Sequence, residues 1–114
     1  MSTTVSIALS PEGLTHLAAQ FGLLADPLRL RIVDSLASEQ LCTCHLIDIT
    51  GAKQTTVSHH LRILREAGVV LGEADGRFTW YQLVPGAFAD ALKRLQGVEL
   101  GGATAQRLRP ACAP

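Results

Sequence analysis

The chain has 114 residues, which fits a single domain, and 47% of them are hydrophobic while only 4% are aromatic. The core must therefore be built mainly from Leu, Val, Ile and Ala, and a core of this size is often supplemented by oligomerisation. Ten Lys and Arg balance ten Asp and Glu. This balance excludes a protein that binds nucleic acid through a generally basic surface, so any such contact must come from a local face.

We expect a cytoplasmic protein without a membrane segment. No apolar run reaches the ~18 residues needed to span a bilayer, and no basic segment precedes an apolar stretch at the N-terminus. Thiols stay reduced in the cytoplasm, where closely spaced cysteines more often bind metal or react than form disulfides. The chain has three cysteines, an odd number for a disulfide framework.

Two helices are predicted in the first third of the chain. Ser10-Pro11 and Asp26-Pro27 are each a capping residue followed by proline at the first helical position. Apolar residues recur at helical spacing after each pair, which predicts helices over about 11–24 and about 27–38.

Two further helices are predicted close together in the middle of the chain. A short helix fits about 43–50 and ends at Gly51, and the next runs over about 54–67 with Gly68 just beyond its end. Only a few residues around Gly51 separate them, which is helix-turn-helix geometry. The inner face of the second of these helices carries Val57, Leu61 and Leu64.

The hydrophobic period then changes from helix to strand. Val69-Val70-Leu71 is a short apolar run, Asp75-Gly76 is a hairpin-turn signal, and residues 78–83 alternate as strand residues do. The sequence thus predicts a mainly α-helical fold with a β-hairpin wing, a winged helix-turn-helix.

A last helix is predicted over about 86–97, after Pro85, with an apolar side. Residues from about 101 are rich in Gly, Ala and Pro. We therefore divide the chain into a DNA-binding and dimerisation domain, 1–100, and a flexible tail, 101–114, that carries Cys112.

The predicted DNA-reading segment is the N-terminal half of the second helix of the helix-turn-helix, which enters the major groove in such motifs. Its short polar and basic side chains can reach base edges or phosphates, while His60 leans inward. Arg77, just past the hairpin turn, is placed to touch phosphate or the minor groove. The alternative is a solvated polar helix end. The predicted DNA-binding residues are Lys53, Gln54, Thr55, Thr56, Ser58, His59, Arg62 and Arg77.

Three blocks resemble successive signatures of the ArsR/SmtB (arsenical-repressor) family: "LADPLRLRIVDSL", "QTTVSHHLRILREAGVV" and "GRFTWYQL". They occur in the family's order and spacing and cover roughly residues 17–95. The resemblance implies a dimeric winged-helix repressor whose first and last helices form the dimer interface. It also implies that the homodimer binds double-stranded operator DNA and is released by a metal or metalloid ion. No phosphate loop, catalytic triad or zinc-hydrolase motif is present, so we do not expect an enzyme.

Cys42 and Cys44 are candidate metal ligands. Residues two apart on an ideal helix point about 200° apart. The two thiols can share an ion only if Cys42 lies in the entering turn and Cys44 in the first turn, where Thr43 would be an acceptable cap. A helix N-terminus also favours thiolate, the form that binds soft ions. The alternative interpretation is two small buried hydrophobic residues.

The stretch "LCTCHL" resembles the "LCVCDL" motif found in arsenic-, antimony-, cadmium- and lead-responsive members of the family, and Cys42 and Cys44 match its cysteines. Two positions differ. A third cysteine of some arsenic sensors is Ile47 here, and the acidic residue of the motif is His45. The predicted metal ligands are Cys42, Cys44 and Cys112, with His45 as an alternative third ligand and a stray terminal cysteine as the alternative for Cys112.

Three thiolates suit trivalent arsenic or antimony, and sulfur-rich sites also suit Cd(II) and Pb(II), whereas Zn(II) prefers four ligands. The family's other site needs Asp and His pairs on the last helix. That helix has Asp90 and Glu99 but no His, so we expect no such zinc or nickel site. Two alternatives stay open: a redox switch at the same cysteines, and a winged-helix module that makes only protein contacts.

Overall fold

The structure, a computed structural model, describes residues 10–102 and 105–112. The order of helices and of the hairpin along the chain is the one that the sequence predicted, with one additional short strand. The elements, in chain order, are α1 (Pro11–Leu24), α2 (Pro27–Leu36), β1 (Leu41–Cys42), α3 (Thr43–Thr50), α4 (Gln54–Glu66), β2 (Val70–Asp75), β3 (Phe78–Leu83) and α5 (Ala89–Gly102).

The predicted start signals of α1 and α2 are confirmed. The Ser10 hydroxyl accepts a backbone N–H at 3.1 Å, and the Asp26 carboxylate accepts two at 2.8 and 3.1 Å. The second of these, from Arg29, is the main cause of a lowered pKa at Asp26. The carboxylate is therefore held in its charged form, the better acceptor for the N–H groups of a helix start.

The helix-turn-helix is formed by α3 and α4, joined by residues 51–53. Gly51 has a φ of 72° and ends α3, its N–H donating to the Ile47 carbonyl at 2.8 Å. Gly68, with a φ of 79°, follows the end of α4, and the N–H of Val69 closes the turn onto the Leu64 carbonyl at 3.1 Å. Both predicted helix ends are therefore confirmed, and both use the left-handed conformation that glycine adopts readily.

The core lies where α2, α3 and α4 meet the sheet. The predicted inner face of α4 is confirmed, because its three apolar residues are at most 1% exposed. Burial of an apolar side chain of this size stabilises the fold by roughly 1.5–3 kcal/mol, so these contacts fix which side of α4 faces outward. The largest fully buried side chains are Ile32, Leu46, Leu61, Leu64, Val57 and Val70.

The wing is the predicted β2–β3 hairpin, closed by Gly76 and Arg77. A third strand, β1, was not predicted. It pairs antiparallel with β3, with Cys42 opposite Trp80, so the sheet order is β1-β3-β2. The residues just before α3 are therefore hydrogen-bonded to the wing.

The last helix begins and ends later than predicted, at Ala89–Gly102 rather than about 86–97. Gly86 has a φ of 74°, which cannot be continued into a right-handed helix. The residues after Pro85 therefore form a turn before α5 starts. The helix crosses the predicted tail boundary at about 101, and residues 105–112 form neither helix nor strand.

We predict opposite effects for the same substitution at two glycines. Gly51→Ala should destabilise the fold by about 1–2 kcal/mol, because the left-handed conformation is unfavourable for a residue with a Cβ. Gly97→Ala should stabilise it by about 0.5–1 kcal/mol, because alanine is the better helix former and its Cβ meets no atom within 4 Å. Urea denaturation measures both, and equal shifts of the midpoint in the same direction would contradict the assignment of Gly51.

Candidate nucleic-acid interface and thiol site

The outer face of α4 carries the predicted reading residues. Because Val57, Leu61 and Leu64 occupy the buried side of this helix, polar positions between them are turned outward. The eight residues predicted from the sequence to bind DNA are all exposed. Seven of them lie on or next to α4, and together they form one polar surface that offers amide, hydroxyl, imidazole and cationic donors.

The N-terminus of α4 is open. Lys53 is its N-cap residue, and its side chain makes no capping hydrogen bond. The first backbone N–H groups of the helix and the positive end of its dipole thus face outward beside a cationic side chain. Such a helix start is suited to a phosphate group.

His60 lies on the flank of α4, half-buried, between the polar surface and the core. Its Nδ1 is 3.2 Å from the Nη1 of Arg29, and its ring meets the His59 ring edge-on with centroids 5.3 Å apart. The inward lean predicted for His60 is therefore observed. Its partner, Arg29, was not identified from the sequence, because no local pattern joins two residues on different helices.

The wing presents Arg77 at its tip, exposed as predicted. The strand leading to it also carries Glu73 and Asp75, which are exposed as well. These carboxylates repel a phosphate backbone, so we expect the contact of the wing with DNA to be confined to its tip.

The two neighbouring cysteines stand at the junction of β1 and α3. Cys42 is the N-cap residue of α3 in extended conformation and is 5% exposed, whereas Cys44, in the first turn, is exposed. This is the arrangement that the sequence required for a shared ion. Thr43 would have been an acceptable cap, but it is the first residue of the helix. The strand pairing of Cys42 keeps Cys42 extended and makes it the N-cap residue.

His45 completes this junction. Its Nδ1 accepts the backbone N–H of Cys42 at 3.1 Å and lies 3.3 Å from the Cys42 sulfur. The imidazole also packs against the Trp80 indole, with ring centroids 5.6 Å apart and planes inclined by 49°. A nitrogen donor therefore stands beside one of the two thiols, and a tryptophan stands beside the nitrogen donor.

Among the described residues His45 lies beside the Cys42 thiol, but no cluster of three or more His, Cys, Asp or Glu side chains could hold a metal ion. Cys112 is exposed in the segment 105–112. The donors present, two thiols and an imidazole, have the chemistry of a soft-ion site. Both candidates for the third ligand, Cys112 and His45, stay predictions.

No helix in the described ranges has both the length and the apolar content required to cross a bilayer.

Residues 26–71 match the family model described as "Bacterial regulatory protein, arsR family". An arsenical resistance operon repressor of Staphylococcus aureus is 36% identical over 73 residues, 64% of this chain and 70% of that protein. The chain belongs to the ArsR/SmtB family of transcriptional repressors.

Two further comparisons place this ArsR/SmtB chain among winged-helix regulators. A transcriptional repressor SmtB homologue of Synechocystis is 39% identical over 75 residues, which are 66% of this chain and 57% of that protein. The chain thus spans little more than half the length of that relative. A crystal structure of a possible transcriptional regulator for arsenical resistance superposes with a TM-score of 0.64 at 31% identity, covering 77% of this chain and 97% of that one.

The family membership confirms two expectations from the sequence. The fold is a winged helix-turn-helix, and the family to which the chain belongs consists of DNA-binding transcriptional regulators rather than enzymes. The matched segment contains α2, α3 and α4, so it includes Cys42, Cys44 and the polar face of α4.

We predict that Gln54→Ala and Ser58→Ala each weaken specific DNA binding by about 1–3 kcal/mol and relax the sequence preference, because both side chains are exposed where base edges would lie. Arg77→Ala should weaken binding to all sequences and reduce the salt slope by about one, as loss of a phosphate contact does. Arg94→Ala, on α5, is the matched control. Fluorescence anisotropy at several salt concentrations measures these effects, and unchanged sequence preference in both α4 variants would contradict the reading role.

Proposed function

We propose that this protein is a metalloid- or metal-responsive repressor of the cytoplasm. It binds twofold-symmetric operator DNA as a homodimer and is released when Cys42 and Cys44 bind a soft ion, first As(III) or Sb(III). The observation that carries the proposal is the position of these thiols, at the start of the helix that packs directly on the predicted reading helix. The S. aureus relative and the crystallised neighbour, both connected with arsenical resistance by name, support the choice of ion.

A large apolar surface supports the homodimer. The α1 and α5 helices pack on each other, yet apolar side chains on both remain exposed, Leu92 by 59% and Phe21 by 39%. A second copy of the same pair of helices would cover them, since a twofold interface pairs a surface with itself. The exposed apolar side chains of these two helices are Leu14, Phe21, Leu92, Leu95, Val98 and Leu100.

We predict that Leu92→Glu with Leu95→Glu converts the dimer to monomers, because two carboxylates would be buried without partners at the interface. Leu108→Glu, at an 88% exposed leucine outside α5, should leave the dimer intact. Light scattering at micromolar concentration measures the mass. A wild-type chain that is a stable monomer at this concentration would contradict the homodimer. It would also contradict the expectation that the two operator half-sites lie about one helical turn, or a multiple of it, apart.

The chemistry of the thiols supports arsenite as the inducer. Arsenite in water is As(OH)₃, and each cysteine that binds exchanges one hydroxide for a thiolate and releases one water, with no oxidation or reduction. Two thiols hold the ion and a third donor, Cys112 or His45, completes a trigonal site. Cd(II) or Pb(II) would use the same thiolates, and Zn(II) would need further ligands.

Release of DNA follows from the position of the site. Drawing both sulfurs onto one ion must change the entering turn of α3, because Cys42 is held by β1 pairing while Cys44 belongs to the helix. α3 packs on α4, so a shift of α3 displaces the reading helix from groove geometry. A coupling of about 1–3 kcal/mol suffices to change DNA affinity 5–150-fold.

A cysteine redox switch is the second candidate function, favoured by the exposure of Cys44 next to a thiol that is hydrogen-bonded to an imidazole. The two functions differ in one measurement. Ion binding by the reduced protein gives a thiolate–ion absorbance band, whereas a redox switch responds to oxidant and needs no such band.

We predict that Cys42→Ser and Cys44→Ser bind operator DNA but no longer release it with arsenite or antimonite, because each loses one of two essential sulfurs. Cys112→Ser should weaken the response if the tail supplies the third thiolate, and leave it intact if His45 or solvent does. Gel-shift assays with and without arsenite measure release. The emission of Trp80, the chain's only tryptophan, measures ion binding separately, because its ring packs on His45.

A further variant serves as the control, and one result for Cys42→Ser would contradict the proposed sensor site. Thr43→Ser alters the residue between the two cysteines without adding or removing a thiol, and it should respond as the wild type does. If Cys42→Ser still releases DNA at the wild-type arsenite concentration, the ion acts elsewhere and the proposed sensor site is wrong.

A further inference from the structure

Arg29 connects three helices through one side chain. It is the third residue of α2, and its backbone N–H is held by the Asp26 carboxylate at 3.1 Å. Its Nε donates to the carbonyl of Leu23, near the end of α1, at 2.9 Å. Its Nη1 lies 3.2 Å from Nδ1 of His60 on α4. Both side-chain contacts are partly buried.

The chemistry of the two groups fixes the direction of the last contact. A guanidinium has donors and no acceptor, so Nδ1 of His60 is the acceptor in this hydrogen bond. A planar guanidinium that donates from both Nε and Nη1 is restrained in position and in plane. His60 is therefore held by a rigid group that is itself fixed to α1 and α2.

His60 is well placed to set the rotation of α4. It occupies the flank of the helix, directly after the exposed His59 and two residues before the exposed Arg62. The apolar face of α4 fixes which side of the helix is buried, but burial is non-directional, so small changes in the angle of the helix cost little apolar contact. A hydrogen bond at the flank is directional, so it restrains the small rotations and shifts that burial alone permits.

We propose that Arg29 and His60 form a positioning pair that orients the reading surface of α4 relative to α1, an inference that rests on the proposed DNA-binding function. Neither residue belongs to the predicted contact set. The pair acts through the residues beside it, and it ties the angle of the reading helix to a helix of the proposed dimer interface. Two reading helices related by a twofold axis must both fit grooves at a fixed spacing, so a change in this angle affects both half-sites.

The polar pair is separable from the stability of the fold, which makes the inference testable. α4 is already anchored by Val57, Leu61 and Leu64, each at most 1% exposed. Loss of the Arg29–His60 hydrogen bond should therefore leave the protein folded while the reading surface loses its fixed orientation.

The test uses the full chain and duplexes that the wild type enriches from a randomised DNA library, with anisotropy as the readout. His60→Leu and Arg29→Met should each weaken binding to the enriched duplex by about 3–30-fold, and the double variant should be no weaker than the weaker single variant. His60→Leu should change binding to a scrambled duplex by less than about twofold. Arg31→Met, an exposed arginine of the same helix, controls for the loss of charge in Arg29→Met.

Two further readouts distinguish positioning from simple packing. His60→Asn retains an acceptor oxygen near the place of Nδ1 and should restore binding to within about threefold of the wild type, whereas a leucine of similar bulk should not. Nitrogen-15 spectra of the imidazole should show Nδ1 as a hydrogen-bond acceptor in the wild type. In Arg29→Met the Nδ1 resonance should shift as its donor is lost.

The outcomes separate the two proposals. If the wild type enriches no duplex, the proposed function fails, and this positioning role fails with it. If the wild type enriches a duplex that His60→Leu and Arg29→Met bind with unchanged affinity, only the positioning pair is overturned. It is also overturned if the effects of the two substitutions multiply in the double variant, or if His60→Leu lowers specific and scrambled binding equally.

Discussion

The packing of one side of α4 is the contact on which the rest of the molecule depends. Its apolar residues meet Ile32 of α2 and Leu46 of α3 in a core from which water is excluded. Since this face is buried, the other face must be exposed, and the sequence puts amides, hydroxyls and an imidazole there. The same contact makes α4 sensitive to its neighbours, because a close-packed helix cannot stay in place when the helix under it moves.

Much of this arrangement was predictable because it is local. Capping residues followed by proline predicted the starts of α1 and α2, and left-handed glycines predicted the ends of α3 and α4. The strand β1 was missed since two residues show no period, and its partner Trp80 lies far along the chain. The start of α5 was misplaced because proline is typical of a first helical turn, whereas Gly86 here takes a positive φ that delays the helix.

In the candidate site, too, the local features could be predicted from the sequence and the contacts between distant elements could not. Exposure of the α4 residues followed from helical period alone, and the placement of Cys42 and Cys44 across a helix start followed from spacing. The contact of His45 with Trp80, and that of Arg29 with His60, join elements distant in sequence. No periodicity predicts such contacts. Thr43 was an acceptable cap for α3 by residue type, but the pairing of β1 with β3 assigned that position to Cys42.

Among the described residues no cluster could already hold a metal ion, which is physically appropriate to a regulator under the proposed function. A site already complete without its ion would hold the same conformation with and without it, and an ion that binds two states equally shifts no equilibrium. Here Cys42 is buried on a strand and Cys44 is exposed on a helix, so an ion that holds both must favour a different entering turn. Because coupling between two binding equilibria is reciprocal, operator DNA that favours the present turn opposes the ion by the same factor with which the ion opposes DNA. The wing is coupled to these two equilibria, since β1, which carries Cys42, is paired with β3, the strand that follows Arg77.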